Sequence, residues 1–243
     1  MDAREPLLSI IVPVYNEVTT VAAVIERLHV IELPIAREII VVDDGSTDGT
    51  GELLARLDLS TRCVRVVRCE RNRGKGGAIQ LGMAHARGSI LAIQDADLEL
   101  DPAQLAALVA PILSGDTAVV YGSRFMQGRP DMPRAAFYAN WCLTALTNLL
   151  YGSHLTDMET CYKVMRSEVA RSLALESMRF EIEPEITAKL LRRGHRILER
   201  PIQYQPRSRS QGKKIGWRDA VQAVRVLCRY RFKTANGPVA HGS

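Results

Sequence analysis

Aromatic side chains are scarce, 5% of the chain. The scarcity matters most in the basic stretch 192–233, where Tyr204, Trp217, Tyr230 and Phe232 are the only surfaces on which a base could stack. With no nucleic-acid-binding signature beside them, nucleic acid is set aside as a partner. The five cysteines, Cys63, Cys69, Cys142, Cys161 and Cys228, form no CxxC pair, and their number is odd. That excludes a disulfide framework and the usual zinc spacing, and it suits a reducing compartment. No window approaches the roughly 18 consecutive apolar residues of a membrane span, so a soluble or peripheral protein is expected. Internal repeats, low-complexity tracts and a composition break between domains are also missing.

What is present is an ordinary globular composition, 47% hydrophobic over 243 residues, enough for one large domain with a real core. The net charge of +5 hides a division. Residues 192–233 carry 13 Lys and Arg against Glu199 and Asp219, so this segment is +11 and the rest of the chain −6. The two parts are expected to do different jobs.

The segments "LLSIIVP" and "REIIVVDDGS" have the continuous apolar character of buried parallel strands. Between them Val21, Val24, Ile25 and Leu28 fall at helical spacing. A helix capped by Ser46 or Thr47, a strand "CVRVVRC", a helix closed by Gly88 and a fourth strand "SILAIQ" are expected to follow. This alternation predicts an α/β fold, a Rossmann-like, mostly parallel sheet with helices on both faces and ligands beyond the carboxyl ends of its strands. After the strand "TAVVYGSRF" the beat fails across "MQGRPDMPRA", a loop. The helix that follows has Phe137, Trp141, Leu143, Leu146, Leu149 and Leu150 spread around much of its circumference, so another element or lipid must cover it. The last helix, "RDAVQAVRVLCRYRF", is amphipathic: Arg218, Arg225 and Arg229 cluster within about 40°, opposite Leu227. Its apolar side either packs on the domain or leaves the arginines for anionic headgroups.

The apolar run "LAIQDADLELDP" ends in acids. On an extended strand Asp95 and Asp97 would face one spot, and two like charges there need a counter-ion. Such oxygen ligands suit Mg2+ or Mn2+ shared with a diphosphate; helix capping is the plainer alternative, and Asp101 before Pro102 has that role open to it. Asp43 and Asp44 have a similar plain alternative, since Asp and Ser after a strand commonly cap a following helix. "RNRGKGGA" lacks the Walker spacing and is expected to turn the chain at a helix N-terminus. His85 and His195 are expected on the surface. Asp157 and Glu159 are either caps or a catalytic pair.

Taken in order, "PVYNE" (13–17), "VVDDGSTDGT" (41–50), "RNRGKGGAIQLGMAHARG" (71–88), "QDADLELDP" (94–102), "YGSRF" (121–125) and "LTDMETCYKVMR" (155–166) resemble the family 2 glycosyltransferases of GT-A fold. With "FEIEPEITAKLLRRGHRI" and "GKKIGW" they resemble the branch of dolichyl- or polyprenyl-phosphate mannose and glucose synthases. The resemblance covers about residues 7–232. It implies a GT-A catalytic domain over 1–205, a basic acceptor or membrane-surface segment with an amphipathic helix over 206–232, and a disordered tail over 233–243. Pro13, Tyr15, Glu17, Asp43 and Asp44 would bind the nucleotide base and ribose. Asp95, Asp97 and Glu99 would hold the metal on the diphosphate. Arg124 would touch the donor diphosphate or the acceptor phosphate, and Arg207, Arg209, Lys213 and Lys214 would clamp the acceptor phosphate.

The implied reaction moves a hexose, with inversion, from GDP-mannose or UDP-glucose to a polyprenyl or dolichyl phosphate, at an anionic membrane surface on the cytoplasmic side. A phosphate acceptor is already ionised at neutral pH and needs no strong base. Two alternatives stand beside it: transfer to a soluble or saccharide hydroxyl, with Asp157 as the base, and a non-catalytic nucleotide-sugar binding module.

Overall fold

A computed structural model describes residues 5–57, 63–206 and 217–233. Its first half follows the expected alternation: β1 (Leu7–Val14), α1 (Val21–Val30), β2 (Ala36–Asp43), α2 (Thr50–Arg56), β3 (Val64–Arg68), α3 (Lys75–His85) and β4 (Ile90–Ile93). A 3-10 turn at Pro102–Gln104 leads into α4 (Leu105–Leu113), then β5 (Val119–Ser123), α5 (Arg134–Tyr151), β6 (Lys163–Arg166), α6 (Ser167–Ser172), α7 (Ile182–Arg192), β7 (Ile197–Pro201) and α8 (Trp217–Phe232). The strands form one sheet in the order β3-β2-β1-β4-β6-β5-β7. Leu8, Ile10, Ile11 and Val12 of β1 and Ile39 to Val42 of β2 are fully buried, as strands covered by helices on both faces must be. The stripe Val21, Val24, Ile25 and Leu28 is the buried face of α1.

β6 departs from the expected parallel pattern. It lies between β4 and β5 and runs antiparallel to both. The pairs Ala92↔Val164 and Tyr121↔Lys163 put the start of β6 beside the carboxyl ends of its neighbours. The motif "LTDMET", which precedes β6, is thereby delivered to the same edge as the acids that follow β2 and β4. A chain reversal next to the crevice does what a parallel strand could not, because a parallel β6 would have sent that motif to the opposite edge.

Two expected helix ends fall elsewhere. α2 is preceded by Gly49 at φ +96°, and Asp48 accepts from the Thr50 amide at 3.0 Å, whereas the Ser46 hydroxyl accepts from the Asn16 amide. α3 closes at Ala86 in an extended conformation, before Gly88. Gly88 serves a close approach instead: a Cβ there would lie 2.4 Å from the Leu7 carbonyl oxygen and 2.6 Å from Ser9 Oγ. Asp101 does act as a cap, its carboxylate accepting from the Ala103 amide at 3.1 Å.

A second, smaller core joins α5, α7 and α8 through Leu143, Met158, Ala188, Ala223, Leu227 and Tyr230. The apolar face of α8 therefore packs on the domain, and it also covers Leu146 and Leu150 of α5. Tyr151 donates its hydroxyl to the Leu227 carbonyl at 2.7 Å, and Arg231 Nε donates to the Leu150 carbonyl at 2.6 Å. Arg229 pairs with Glu176 at 3.0 Å. Among the described residues nothing covers the far side of α5, with Tyr138 and Trp141 each 59% exposed and Leu149 81% exposed.

Because the atoms against Gly88 belong mainly to the β1 backbone, Gly88→Ala forces β1 and the α3–β4 connection apart. A loss of about 1–3 kcal/mol is expected in urea unfolding, with little change at the distant carboxyl edge.

Candidate active site

The first two motif loops are tied together past the ends of β1 and β2. The Asn16 amide donates to Ser46 Oγ at 3.0 Å, the Thr47 amide to Asn16 Oδ1 at 2.8 Å and the Glu17 amide to Thr50 Oγ1 at 3.0 Å. Pro13, Tyr15 and Glu17 are half-buried along this seam. Asp43 and Asp44 are buried and serve the loops themselves. Asp43 Oδ1 accepts from the Ser46 amide at 3.0 Å, and its Oδ2 lies 3.5 Å from Arg68 Nε. Asp44 accepts from the amides of Arg73 at 2.8 Å and Gly74 at 2.7 Å. Burial raises the pKa of Asp44, and these two amides oppose the rise. Gly74, at φ +88°, lets the loop turn under Met178 and Arg179 and enter α3 directly. Beside it lies a groove of about 310 Å3 lined by Arg68, Cys69, Glu70, Arg71, Arg73 and Leu81.

Asp95 and Asp97 do not extend β4. The strand ends at Ile93, and the aspartates sit in the turn beyond it, so the expected strand alternation does not govern where they point. Leu98 follows at φ +62°, a strained conformation for a branched side chain. Asp97 Oδ1 accepts from the Glu99 amide at 3.2 Å, and Glu99 Oε2 accepts from the Tyr204 hydroxyl at 3.0 Å. Among the described residues no three His, Cys, Asp or Glu side chains converge into a ready-made metal cage. The Tyr204 hydroxyl thus orients the Glu99 carboxylate through one of its two oxygens.

Asp95 is instead met by Lys75, the first residue of α3. Its ammonium lies 3.0 Å from Asp95 Oδ1, 3.2 Å from Oδ2 and 2.9 Å from Glu183 Oε1 on α7. Glu183 Oε2 in turn pairs at 2.6 Å with Lys163, which also donates to the carbonyls of Met158 and Thr160. Burial works against the Lys75 ammonium, yet Asp95, Cys161 and Glu183 more than offset it and raise its pKa well above the usual lysine value. Burial likewise opposes ionisation of Asp95, and Lys75 outweighs it, holding that carboxyl below its usual range.

Arg124, just past β5, is fixed by Asp157. Nε donates to Asp157 Oδ2 at 2.7 Å, Nη2 donates to Oδ1 at 2.8 Å, and the Arg124 amide donates to Oδ2 at 3.0 Å. The guanidinium lies 5.4 Å from the Phe125 ring centre and 5.3 Å from that of Tyr204, a bidentate and stacked setting that lysine could not reproduce. Glu199 accepts from the amides of Thr156 at 2.8 Å and Asp157 at 3.0 Å, which steadies the loop. Asp157 and Glu159 thus cap no helix. Glu159 Oε1 is enclosed without a hydrogen-bond partner. Burial pushes the Glu159 carboxyl up to about 7, against the pull of Lys163.

The structure therefore brings together Asp95, Asp97, Glu99, Arg124 and Asp157 at one edge, with Asp43 and Asp44 at the end of β2, across β1 from β4. Arg207, Arg209, Lys213 and Lys214 lie outside the described residues. Sequence reasoning missed Lys75, Lys163, Glu183 and Tyr204. Two of them left a signal: Lys163 interrupts the apolar run "CYKVM", and Glu183 and Glu185 punctuate the buried side of α7.

A mixed, mostly parallel sheet with paired acids just beyond its carboxyl edge, faced by a helix N-terminus, defines an α/β transferase domain of the GT-A type. Comparison with known proteins agrees. The glycosyl transferase family 2 profile matches residues 9–173, and the chain belongs to that family. It is 30% identical over 212 residues to glycosyltransferase AglD of Haloferax volcanii, covering 82% of this chain and 33% of the relative. It is 30% identical over 174 residues to dodecaprenyl-phosphate galacturonate synthase of Rhizobium johnstonii, covering 69% and 50%. It is 29% identical over 214 residues to undecaprenyl-phosphate mannosyltransferase of Micrococcus luteus, covering 85% and 86%. The chain thus spans one third to one half of the first two relatives and most of the third. Glucosyl-3-phosphoglycerate synthase of Mycobacterium tuberculosis, solved with Mn2+, UDP and glucosyl-3-phosphoglycerate, superposes with a TM-score of 0.69 at 20% identity over 93% of this chain and 80% of that one. At that identity the likeness is one of fold. The same enzyme has been solved with Mg2+ and UDP.

The raised Glu159 carboxyl sets a pH dependence of stability. A carboxyl with a folded pKa of about 7 and an ordinary unfolded value favours the folded state below the unfolded pKa, and this support is lost as pH rises to about 7. Glu159→Gln, which stays neutral, is expected to raise the melting temperature by several degrees at pH 8 and much less at pH 5. Thermal melts of both proteins across that range check it.

Proposed function

We propose that this family 2 glycosyltransferase moves a hexose, mannose or glucose, from GDP-mannose or UDP-glucose to a polyprenyl or dolichyl phosphate, with inversion. The observation that carries the proposal is the Arg124–Asp157 clamp. Transfer to a hydroxyl needs a base, and the leading candidate for one has both carboxylate oxygens committed to Arg124. Glu159, the other carboxyl nearby, has its Oε1 sealed. A phosphate acceptor removes the need for a base, because its nucleophilic oxygen is ionised at neutral pH. It requires a fixed cation, and Arg124 is one: its bonds to Asp157 use Nε and Nη2. The Micrococcus luteus mannosyltransferase and the Rhizobium johnstonii galacturonate synthase, both named for polyprenyl phosphates, support the same acceptor class.

On the donor side, Pro13, Tyr15, Glu17, Asp43 and Asp44 line or brace the place for base and ribose, with the arginine-lined groove beside them. A Mg2+ or Mn2+ ion fits the donor set at the diphosphate. Two carboxylates, Asp95 and Asp97, are what such ions take from protein when substrate phosphates complete the shell, so the lack of a three-residue cage is no obstacle. When bound, the ion supplies charge stabilisation to the leaving diphosphate. Asp95 and Asp97 hold it, with Glu99 nearby through its bond to Tyr204, and Arg124 positions the attacking phosphate and offsets its repulsion from the donor. Arg207, Arg209, Lys213 and Lys214 extend that basic surface in the sequence.

The lipid reaches this edge from an anionic membrane surface at the cytoplasmic face. No helix among the described residues is long and apolar enough to cross a membrane. α5 presents Tyr138, Trp141 and Leu149 outward, and α8 adds exposed Val221, Val224 and Phe232 with Arg225 beside them. Apolar side chains flanked by a solvated arginine suit an anionic lipid interface.

Activity is expected to vanish in excess chelator. Asp97→Asn should lower kcat by a hundredfold or more (about 3 kcal/mol) with an unchanged circular dichroism spectrum. The test incubates labelled GDP-mannose and UDP-glucose with undecaprenyl phosphate and Mn2+ and follows label into the lipid phase. Transfer to a saccharide and none to lipid would sink the acceptor assignment. Trp141→Ser with Leu149→Ser is expected to cut sedimentation with anionic vesicles at low salt at least severalfold while sparing the melting temperature, since both side chains are exposed; equal sedimentation would remove α5 from the lipid surface.

A further inference from the structure

We propose that Lys75 is a positioning residue that holds Asp95 for the nucleotide-bound cation and makes capture of that cation conditional on the diphosphate. The inference rests on the metal assignment of Asp95 made above. Lys75 has little freedom to leave. It opens α3 directly after Arg73 and Gly74, whose amides are anchored by Asp44, and its side chain is 14% exposed. Its ammonium reaches both oxygens of Asp95, at 3.0 and 3.2 Å. A divalent ion arriving alone must therefore share that carboxylate with a fixed positive charge. In a poorly hydrated site this repulsion is strong. A nucleoside diphosphate brings two or more negative charges and reverses the balance, so ion and nucleotide are taken up together and leave together.

Glu183 tunes the effect. It lies 2.9 Å from Lys75 and is itself held by Lys163 at 2.6 Å. Part of the Lys75 charge is thus drawn toward α7. Removing the Glu183 charge leaves Asp95 to neutralise Lys75 alone, whereas removing the Lys75 charge frees Asp95 for the ion. The two neutralising substitutions, on side chains in contact with each other, then act on ion binding in opposite directions. A purely structural network has no such property, because damage from either side would weaken the site.

The test titrates Mn2+ into the full chain by electron paramagnetic resonance, with and without GDP or UDP. Expected for Mn2+ alone are binding about tenfold tighter in Lys75→Met, severalfold weaker in Glu183→Gln and near parental in Lys75→Arg, within the usual range of coupling between sites. The gain in Mn2+ affinity that nucleotide confers should shrink in Lys75→Met. Weaker binding in both neutralised variants, or no change in either, overturns the proposal. If Lys75→Met does not fold, Glu183→Gln and Lys75→Arg still decide: unchanged or tighter Mn2+ binding in Glu183→Gln overturns it. A parent protein that fails to bind Mn2+ even with nucleotide overturns the metal assignment beneath the proposal, an outcome distinct from binding that ignores these charges.

Discussion

Burying charge at the carboxyl edge of the sheet is the constraint on which the site depends. Asp95, Lys75, Glu183 and Lys163 alternate in sign and touch in series, at 3.0, 2.9 and 2.6 Å. They come from the turn after β4, the start of α3, α7 and β6. Loss of one member leaves its partner charged and desolvated, which costs about 3–5 kcal/mol in buried pairs. The four elements are therefore held in register by charge as well as by apolar packing. Glu159 stands next to this series without a cation of its own, and burial settles its charge by raising its pKa to about 7. The site thus keeps its interior near neutrality while carrying several ionisable groups.

The reversed strand β6 makes this arrangement possible. It supplies Lys163 to the ion-pair series and, from the residues just before it, Asp157 to Arg124. Both clamps depend on β6 lying between β4 and β5, so the strands that carry the acidic turn and the arginine are two spacings, about 9.6 Å, apart. Glu199, from β7, braces the same loop through two backbone amides. Four strands consequently fix the relation between the place proposed for the metal-bound diphosphate and the guanidinium proposed for the acceptor.

The half of the fold built from apolar periodicity was legible in the sequence. Strands β1 and β2 and helix α1 declared themselves because both faces of the strands and one stripe of the helix are buried, and burial writes directly into residue type. β6 was not legible, since a four-residue strand containing a lysine has no period to detect. The aspartates were found by composition, but their placement was misjudged: β4 ends two residues before Asp95, and the turn, with Leu98 at φ +62°, sets their direction. Lys75 was hidden for another reason. In the sequence it is one basic residue among Arg71 and Arg73 in a glycine-rich turn, and only its contacts with Asp95 beyond β4 and Glu183 of α7 distinguish it. Ser46 and Gly88 each drew a local role, cap and stop, because local rules see the helix and not the neighbouring strand that claims the residue.

The division of charge along the sequence takes on a physical sense from this geometry. The acidic part of the chain carries cations within its own site, Lys75 and Lys163 opposite Asp95 and Glu183 and Arg124 opposite Asp157, so every buried acid among these has its opposite. With most of its cations paired inside the site, the attraction left for a polyanion rests largely on Arg124, whose bonds to Asp157 use Nε and Nη2. In the proposed reaction a donor diphosphate and an acceptor phosphate together would bring several negative charges into one crevice, and a divalent ion would offset only part of them. Further cations are concentrated by the sequence in the segment 192–233, +11 overall. The end of that segment is fastened to the domain, by the packing of Leu227 and Tyr230 and by the Arg229–Glu176 pair, so the arginines of α8 stay on the protein beside α5 and α7. An acceptor that is itself anionic gives this placement a use, whereas a neutral hydroxyl acceptor would leave most of it without one.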